Sequence, residues 1–285
     1  MAAVTLRQLA AQAFPVGVPV LTTFPVVQGT ATDPSGWKLV WSDEFDGPSI
    51  DLTKWEHQIG IGQGGWGNNE LEYYTARPEN SRIEDGKLII EARKEIYNDG
   101  HIARSYTSAR MRTMNQGDWK FGRLEIRAKV PQGQGIWPAI WMLPTDNVYG
   151  TWAASGEIDI MELVGHEPNK VHGTLHYGGE WPRHLSSGGS YTLPSGTFSD
   201  DFHVFVLEWE EREMRWYVDD IHFLTQNSWH SNSANTPAPF PAPFDQRFHL
   251  LLNVAVGGNW PGIPDSTTVF PQKMEVDYVR VYQRD

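Results

Sequence analysis

From Trp37 onward the chain alternates apolar and polar residues in short runs, which are separated by clusters of Gly, Pro, Asn and Asp. This period of two predicts β-strands, because successive side chains of a strand point to opposite faces. The clearest runs are at 87–93, 122–130, 204–210, 214–218, 249–256 and 274–282. Many short strands at regular spacing predict an all-β protein, an antiparallel sandwich or jelly roll, in one domain over residues 36–285.

Turns and loops interrupt this pattern. The run VDDIH at 218–222 predicts a hairpin with a short acidic turn. Segments without alternation predict long loops at 60–69, 181–199 and 227–243. In a compact domain, loops of this length usually form functional rims or lids.

Residues 1–35 differ from the rest of the chain. They carry one charge, Arg7, before Asp33, and they are rich in Ala, Val and Pro. Helical spacing is confined to the first dozen residues, and Pro15 ends it. We expect this N-terminal extension to be a tether or the remnant of an export signal rather than part of the folded domain.

Composition removes several classes of function. The formal charge is -12, which repels phosphate backbones and anionic lipids, so we expect neither nucleic acid nor a membrane as partner. The absence of cysteine excludes disulfides, thiolate metal sites and cysteine nucleophiles. The chain holds 13 Trp, 10 Tyr and 12 Phe. Such aromatic side chains either fill a sandwich core or stack on sugar-like ligands.

The stretch SGEIDIMELVG at 155–165 places three carboxylates, Glu157, Asp159 and Glu162, among apolar residues. A regular strand brings Glu157 and Asp159 to one face but turns Glu162 toward the core, where an unpaired carboxylate is costly. One extra residue, a β-bulge around Ile160 and Met161, returns all three acids to a common face. The alternative is an edge strand with a solvated acidic face.

Three like charges on one face raise the pKa of at least one of them. A proton donor and a carboxylate side by side are the machinery of retaining glycoside hydrolysis. Near them in the pattern, Trp137, Ala139 and Trp141 share one strand face and offer a platform for sugar rings, although both indoles could also belong to the core.

The residues His172, Thr174 and His176 also share a face. A zinc site would need a third ligand and a helical context, so a histidine that serves the acid cluster or a sugar hydroxyl fits better. The sequence has no serine-hydrolase elbow, P-loop or dinucleotide glycine pattern, which excludes those enzyme classes.

At this point the chain resembles family sixteen of the glycoside hydrolases, the family of laminarinases and lichenases. The resemblance is carried by segments in a fixed order: LVWSDEFDG at 39–47, GWGNNELEYYT at 65–75, YTSARMRT at 106–113, FGRLEIRAKVPQGQGIWPAIWMLP at 121–144, GEIDIMELVG at 156–165, HGTLHYGG at 172–179 and NVAVGGNWPG at 253–262. It implies a jelly-roll sandwich of two curved antiparallel sheets with a substrate cleft across the concave face.

The resemblance also implies roles for individual residues. Glu157 matches the nucleophile, Glu162 the general acid and base, and Asp159 their helper. The residues that match the cleft lining are Asn69, Arg110, Trp137, Trp141, His176 and Trp260. Many members hold a structural calcium ion on the convex side, and its ligands match Glu44, the carbonyl of Gly86, and Asp277, all oxygen donors. No organic cofactor is implied.

The spacing ExDxxE resembles the laminarinase, agarase and carrageenase branches, and GNNELEYYT with GNWPG resembles laminarinases most. An acidic chain without a basic cluster near the acids argues against sulfated galactans. We therefore expect a secreted, monomeric, endo-acting hydrolase of β-1,3-glucan that also cleaves mixed-linkage β-1,3-1,4-glucan. A transglycosylase, an agarase-like galactan hydrolase and a non-catalytic glucan-binding module are the alternatives. Secretion is expected because a polymeric substrate is met outside the cell.

Overall fold

The computed structural model describes residues 36–233 and 236–284. The N-terminal extension and its predicted helix lie outside these residues. The described part of the chain forms twenty strands: β1 Lys38–Asp43, β2 Glu56–His57, β3 Tyr73–Tyr74, β4 Ser81–Glu84, β5 Lys87–Asn98, β6 Ala103–Ser108, β7 Arg110–Arg112, β8 Asp118–Trp119, β9 Gly122–Lys129, β10 Ile136–Pro144, β11 Glu157–Glu162, β12 Lys170–Gly178, β13 His184–Thr192, β14 His203–Trp209, β15 Met214–Val218, β16 Ile221–Gln226, β17 Ser231–Ser233, β18 Thr236–Ala238, β19 Phe248–Val256 and β20 Gln272–Gln283.

These strands make two ten-stranded sheets. The first has the order β16-β15-β14-β9-β20-β5-β6-β3, with β1 beside β20 and β4 beside β5. The second has the order β18-β17-β12-β11-β10-β19-β7-β2, with β13 beside β12 and β8 beside β19. Apart from the parallel contacts β12–β17 and β3–β6, the pairings between named strands of the described residues are antiparallel. The predicted all-β jelly-roll sandwich is confirmed.

The hydrophobic core lies between the sheets. Strand β9 alternates buried and half-buried residues along its whole length, and its buried Leu124, Ile126 and Ala128 belong to the same core cluster as Ile140 and Leu252 of the second sheet. In β9 the period of two in the sequence is therefore the period of burial, since alternate residues of this strand enter the core. Strand β19, by contrast, is buried at every position.

The predicted hairpin is present between β15 and β16. Its two turn residues, Asp219 and Asp220, both have positive φ, at 48° and 67°. A two-residue turn of this kind matches the right-handed twist of the strands that it joins.

Two of the predicted loops are wrong in part. The segment 181–199 contains the nine-residue strand β13, and 227–243 contains the short strands β17 and β18. Strand β13 reads HLSSGGSYT and is half-buried or exposed throughout, so its sequence lacks the apolar alternation of a core strand. The segment 60–69 holds a short π-helix, Gly65–Asn69, interrupted by the positive φ of Trp66 and Gly67. No helix among residues 36–233 and 236–284 is long and apolar enough to cross a membrane.

Candidate active site

Strand β11 lies between β10 and β12 in the second sheet, and it carries the three carboxylates. Along β10, Ile140 pairs with Met161 and Trp141 pairs with Asp159. Ile160 therefore has no pairing partner on β10 and is the extra residue of a β-bulge. The same shift separates Asp159 from Glu162 on the β12 side. The predicted bulge is confirmed.

The bulge has the expected consequence for the side chains of β11. Glu157, Asp159 and Glu162 all line one cleft, of about 1240 Å³, while Ile158 and Met161 are completely buried in the core. The solvated edge-strand alternative is wrong, because β11 is paired on both sides.

The cleft collects the side chains that the sequence assigned to substrate. It is lined by Asn69, Arg110, Trp137, Trp141, His176 and Trp260, together with the three acids. His172 and Thr174 line it as well, next to His176 on β12.

Each of the two glutamates receives a hydrogen bond from an indole. Trp152 Nε1 donates to Glu157 Oε2 at 2.8 Å, and Trp137 Nε1 donates to Glu162 Oε1 at 3.1 Å. An indole N–H only donates, so it favours the carboxylate form and fixes the direction in which the carboxyl group points.

Asp159 and His176 connect the acids. His176 Nε2 lies 3.3 Å from Asp159 Oδ2 and 3.9 Å from Glu157 Oε1. These three residues offer donor atoms within 4.8 Å of one another, which is close enough for a metal ion. The hydrogen bond to Asp159 and the surrounding negative charges, however, raise the pKa of His176 to about 9 despite its burial. A protonated imidazole is a counter-ion for the acids rather than a metal ligand.

Burial and neighbouring charges raise the pKa of both glutamates. Burial and the charge of Asp159 raise the pKa of Glu157 to about 7, while His176 and the Trp152 indole oppose this rise. Burial and the charges of Asp159 and Glu157 raise the pKa of Glu162 well above its ordinary value. Both glutamates therefore keep a proton to higher pH than an exposed glutamate does.

Aromatic rings stand on both sides of the acids. Beside Glu162, Trp260 packs edge-on against Trp137, with ring centroids 5.6 Å apart. Beside Glu157, the rings of Trp152 and His184 lie 4.8 Å apart, and His184 stacks on Trp181 at 5.0 Å. Trp181 is 69% exposed, so the ring series leads from the acids to solvent.

Trp141 is less available than the sequence suggests. The guanidinium of Arg110 lies over its ring at 4.7 Å from the centroid, and Trp141 Nε1 donates to Asn253 Oδ1 at 2.8 Å. One face of this indole is therefore already occupied by a cation–π contact.

Sequence reasoning missed Trp152, Trp181 and His184. Trp152 lies in an irregular segment before β11, and the other two fall in the segment taken for a loop. The available signal was composition, since each is an aromatic or imidazole side chain within about thirty residues of the acids.

The predicted calcium ligands lie apart from the cleft. Both oxygens of Glu44 accept hydrogen bonds from Arg280, at 3.0 and 2.8 Å, and Asp277 Oδ2 accepts one from Arg127 at 2.7 Å. Calcium requires six to eight oxygen ligands, and both carboxylates already have cationic partners. As placed, the side chains do not fit a calcium site with Gly86, and that site stays a prediction.

Comparison with known proteins identifies this arrangement. The family model of the glycosyl hydrolases family 16 matches residues 68–280. The chain belongs to this family. This glycosyl hydrolase is 48% identical to a beta-glucanase of Rhodothermus marinus, over 87% of its own length and 85% of that protein.

Two further relatives agree. A glucan endo-1,3-beta-glucosidase A1 of Niallia circulans is 46% identical over 90% of this family 16 chain, which spans 39% of that longer protein. The catalytic domain of an endo-1,3-beta-glucanase (laminarinase) from Thermotoga petrophila has the same fold, with a TM-score of 0.78 and 46% identity. The match covers 87% of this chain and 98% of that domain.

Proposed function

We propose that this protein is an endo-acting β-1,3-glucanase that hydrolyses laminarin-like chains with retention of configuration, and that it also cleaves mixed-linkage β-1,3-1,4-glucan. The observation that carries the proposal is the pair of half-buried glutamates, Glu157 and Glu162, each held by an indole donor in an aromatic cleft. The names of the relatives support the choice of substrate.

The first half of the reaction breaks the glycosidic bond. The Glu162 carboxylic acid gives its proton to the glycosidic oxygen, and the Glu157 carboxylate attacks the anomeric carbon. The leaving chain departs with the proton of Glu162, and the sugar is left as an ester on Glu157.

The second half regenerates the enzyme. The Glu162 carboxylate takes a proton from water, and the resulting hydroxide equivalent displaces Glu157 from the anomeric carbon. Two inversions give net retention. Asp159 keeps His176 protonated beside Glu157, where the positive charge favours the nucleophile in its ionised form.

The charge pattern favours a neutral glucan over a sulfated galactan. The two arginines of the cleft are already engaged, since Arg110 Nε donates to Gln58 Oε1 at 2.6 Å and Arg112 is paired with Glu56. With a formal charge of -12 on the chain, sulfate groups would enter the cleft against repulsion. An extracellular location and a monomeric state belong to the same proposal, since they suit an enzyme that meets a long polymer.

Product sizing on laminarin, lichenan, agarose and κ-carrageenan tests the proposal. We expect the wild type to release short oligosaccharides from laminarin and lichenan, and Glu157→Gln to release none. Products longer than the starting oligosaccharide would indicate a transglycosylase, and release from agarose alone a galactan hydrolase. Laminarin binding without release by the wild type would indicate a glucan-binding module.

A further inference from the structure

A second pair of buried carboxyl groups lies at the side of the cleft. Glu70 and Glu72 are two residues apart in an extended segment and share a face with Tyr74. Glu72 is completely buried, and Glu70 is 6% exposed and lines the cleft. Neither takes part in the reaction described above.

The two carboxyl oxygens of Glu72 have different contacts. Its Oε2 accepts a hydrogen bond from the backbone N–H of Val256 at 2.6 Å. Its Oε1 is buried and accepts no hydrogen bond from any described residue. Glu70 lies near enough to Glu72 that its charge and a side-chain hydrogen bond both act to raise the pKa of Glu72. Two carboxylates cannot both be ionised at this distance inside a protein. A proton on Glu72 Oε1, donated to Glu70, satisfies the otherwise unpartnered atom.

A chain of hydrogen bonds runs from Glu70 to the aromatic floor of the cleft. Tyr74 Oη donates to Glu70 Oε2 at 3.1 Å, and Asn253 Nδ2 donates to Tyr74 Oη at 3.2 Å. Trp141 Nε1 in turn donates to Asn253 Oδ1 at 2.8 Å. The hydrogen bonds of this series all run in one direction, from Trp141 through Asn253 and Tyr74 to Glu70, which is the last acceptor.

One cation balances the pair. The Arg110 side chain is buried, its guanidinium stacks between the rings of Trp66 and Trp141 at 4.3 and 4.7 Å, and Glu70, Glu72 and Tyr74 all act on its charge. Burial and the charge of Glu70 raise the pKa of Glu72 well above its ordinary value, and burial raises that of Tyr74 as well. These are the charged and titratable groups that face the pair.

We infer that Glu70 and Glu72 are positioning residues, which hold Trp141 and Arg110 in the orientation that binds the glucan chain. The inference rests on the proposed function, since it assigns these residues to substrate binding at the same cleft. The catalytic glutamates keep their own indole donors, so a change at Glu72 acts on substrate binding and leaves the chemical step intact.

Two substitutions at Glu72 separate positioning from simple packing. Glu72→Gln keeps a neutral side chain that donates to Glu70 and accepts from Val256, so we expect KM within about twofold of the wild type. Glu72→Leu removes both bonds, and we expect KM to rise by about tenfold with kcat little changed. The control is Glu125→Gln on the first sheet, which should change neither constant.

The pH profile adds a readout that packing alone does not move. As alkaline pH removes the proton of Glu72, its repulsion from Glu70 should raise the KM of the wild type, while the KM of Glu72→Gln stays flat. Tyr74→Phe interrupts the hydrogen-bond chain one step further on, so it should raise KM even if Glu72→Leu does not fold.

A readout without substrate keeps this inference separate from the proposed function. In ¹H–¹⁵N spectra, the indole resonance of Trp141 should shift in Glu72→Leu and Tyr74→Phe but keep its position in Glu72→Gln. An unchanged indole resonance and KM in Glu72→Leu, or a KM equally raised in Glu72→Gln, would overturn the inference. If the wild type does not cleave laminarin but the variants show these indole shifts, the substrate assignment is refuted and the positioning role remains.

Discussion

The indole donors of the two glutamates allow their roles to be tested one at a time. Trp152→Phe removes the 2.8 Å hydrogen bond to Glu157 and keeps most of the aromatic volume. A hydrogen bond to a charged group contributes roughly 1.5–3 kcal/mol, and one pKa unit corresponds to about 1.4 kcal/mol. Loss of this bond should therefore raise the pKa of Glu157 by about one to two units.

The sign of the effect follows from the role of Glu157. The nucleophile acts as a carboxylate, so activity rises with pH as Glu157 loses its proton, and a higher pKa moves this acidic limb to higher pH. The assay is kcat/KM for laminarin oligosaccharides across pH, because that ratio reports the free enzyme. We expect the acidic limb of Trp152→Phe to move up by about one to two pH units.

Trp137→Phe is the matched control, because it takes the equivalent donor from Glu162. The general acid acts in its protonated form, so a raised pKa of Glu162 should move the alkaline limb to higher pH and leave the acidic limb in place. The opposite pattern, with Trp152→Phe moving the alkaline limb, would exchange the two roles. Unchanged limbs in both variants would refute the electrostatic reasoning.

Three other predictions concern individual residues that line the cleft. Glu157→Gln should reduce turnover by about 10⁴-fold or more, while calorimetry should show that laminarin oligosaccharides still bind. Retained turnover would contradict the assignment of Glu157 as the nucleophile. Trp141→Ala should weaken oligosaccharide binding by about 1–2 kcal/mol, with a pH profile close to that of the wild type, whereas a large change in that profile would place Trp141 in the environment of the acids. Burial and the charges of Arg112 and Arg110 lower the pKa of His249 to about 3. As pH drops below 6.5, the unfolded chain therefore protonates His249 before the folded chain does, and the free energy of unfolding falls. His249→Gln should make this fall less steep when the free energy is measured by urea unfolding across pH. The same slope in both proteins would contradict the prediction.

The bulge in β11 was predictable because a regular strand would have buried Glu162 in the core. The same alternation located β9, β15 and β19, since their inward residues form the core. Strand β13 escaped prediction for the opposite reason. It lies at the edge of the second sheet, beside β12, and its Ser and Gly residues pair through the backbone without entering the core.

The side chains that complete the site were harder to find. The hydrogen bond from Trp152 to Glu157 depends on a turn that folds back over β11, which no periodicity encodes. Glu70 and Glu72 were visible as alternate acids, as were Glu157 and Asp159. Their network, however, is completed from β19, roughly 180 residues further along the chain, where Val256 N–H donates to Glu72 and Asn253 donates to Tyr74.

The anomer released first is the most direct test of the central claim, that Glu157 and Glu162 hydrolyse β-1,3-glucan by double displacement. Time-resolved ¹H NMR of laminarin oligosaccharides with the wild type follows the new reducing ends before mutarotation mixes them. We predict that the β-anomer forms first and the α-anomer follows by mutarotation. Initial release of the α-anomer would show a single displacement and would contradict the assignment of Glu157 as nucleophile.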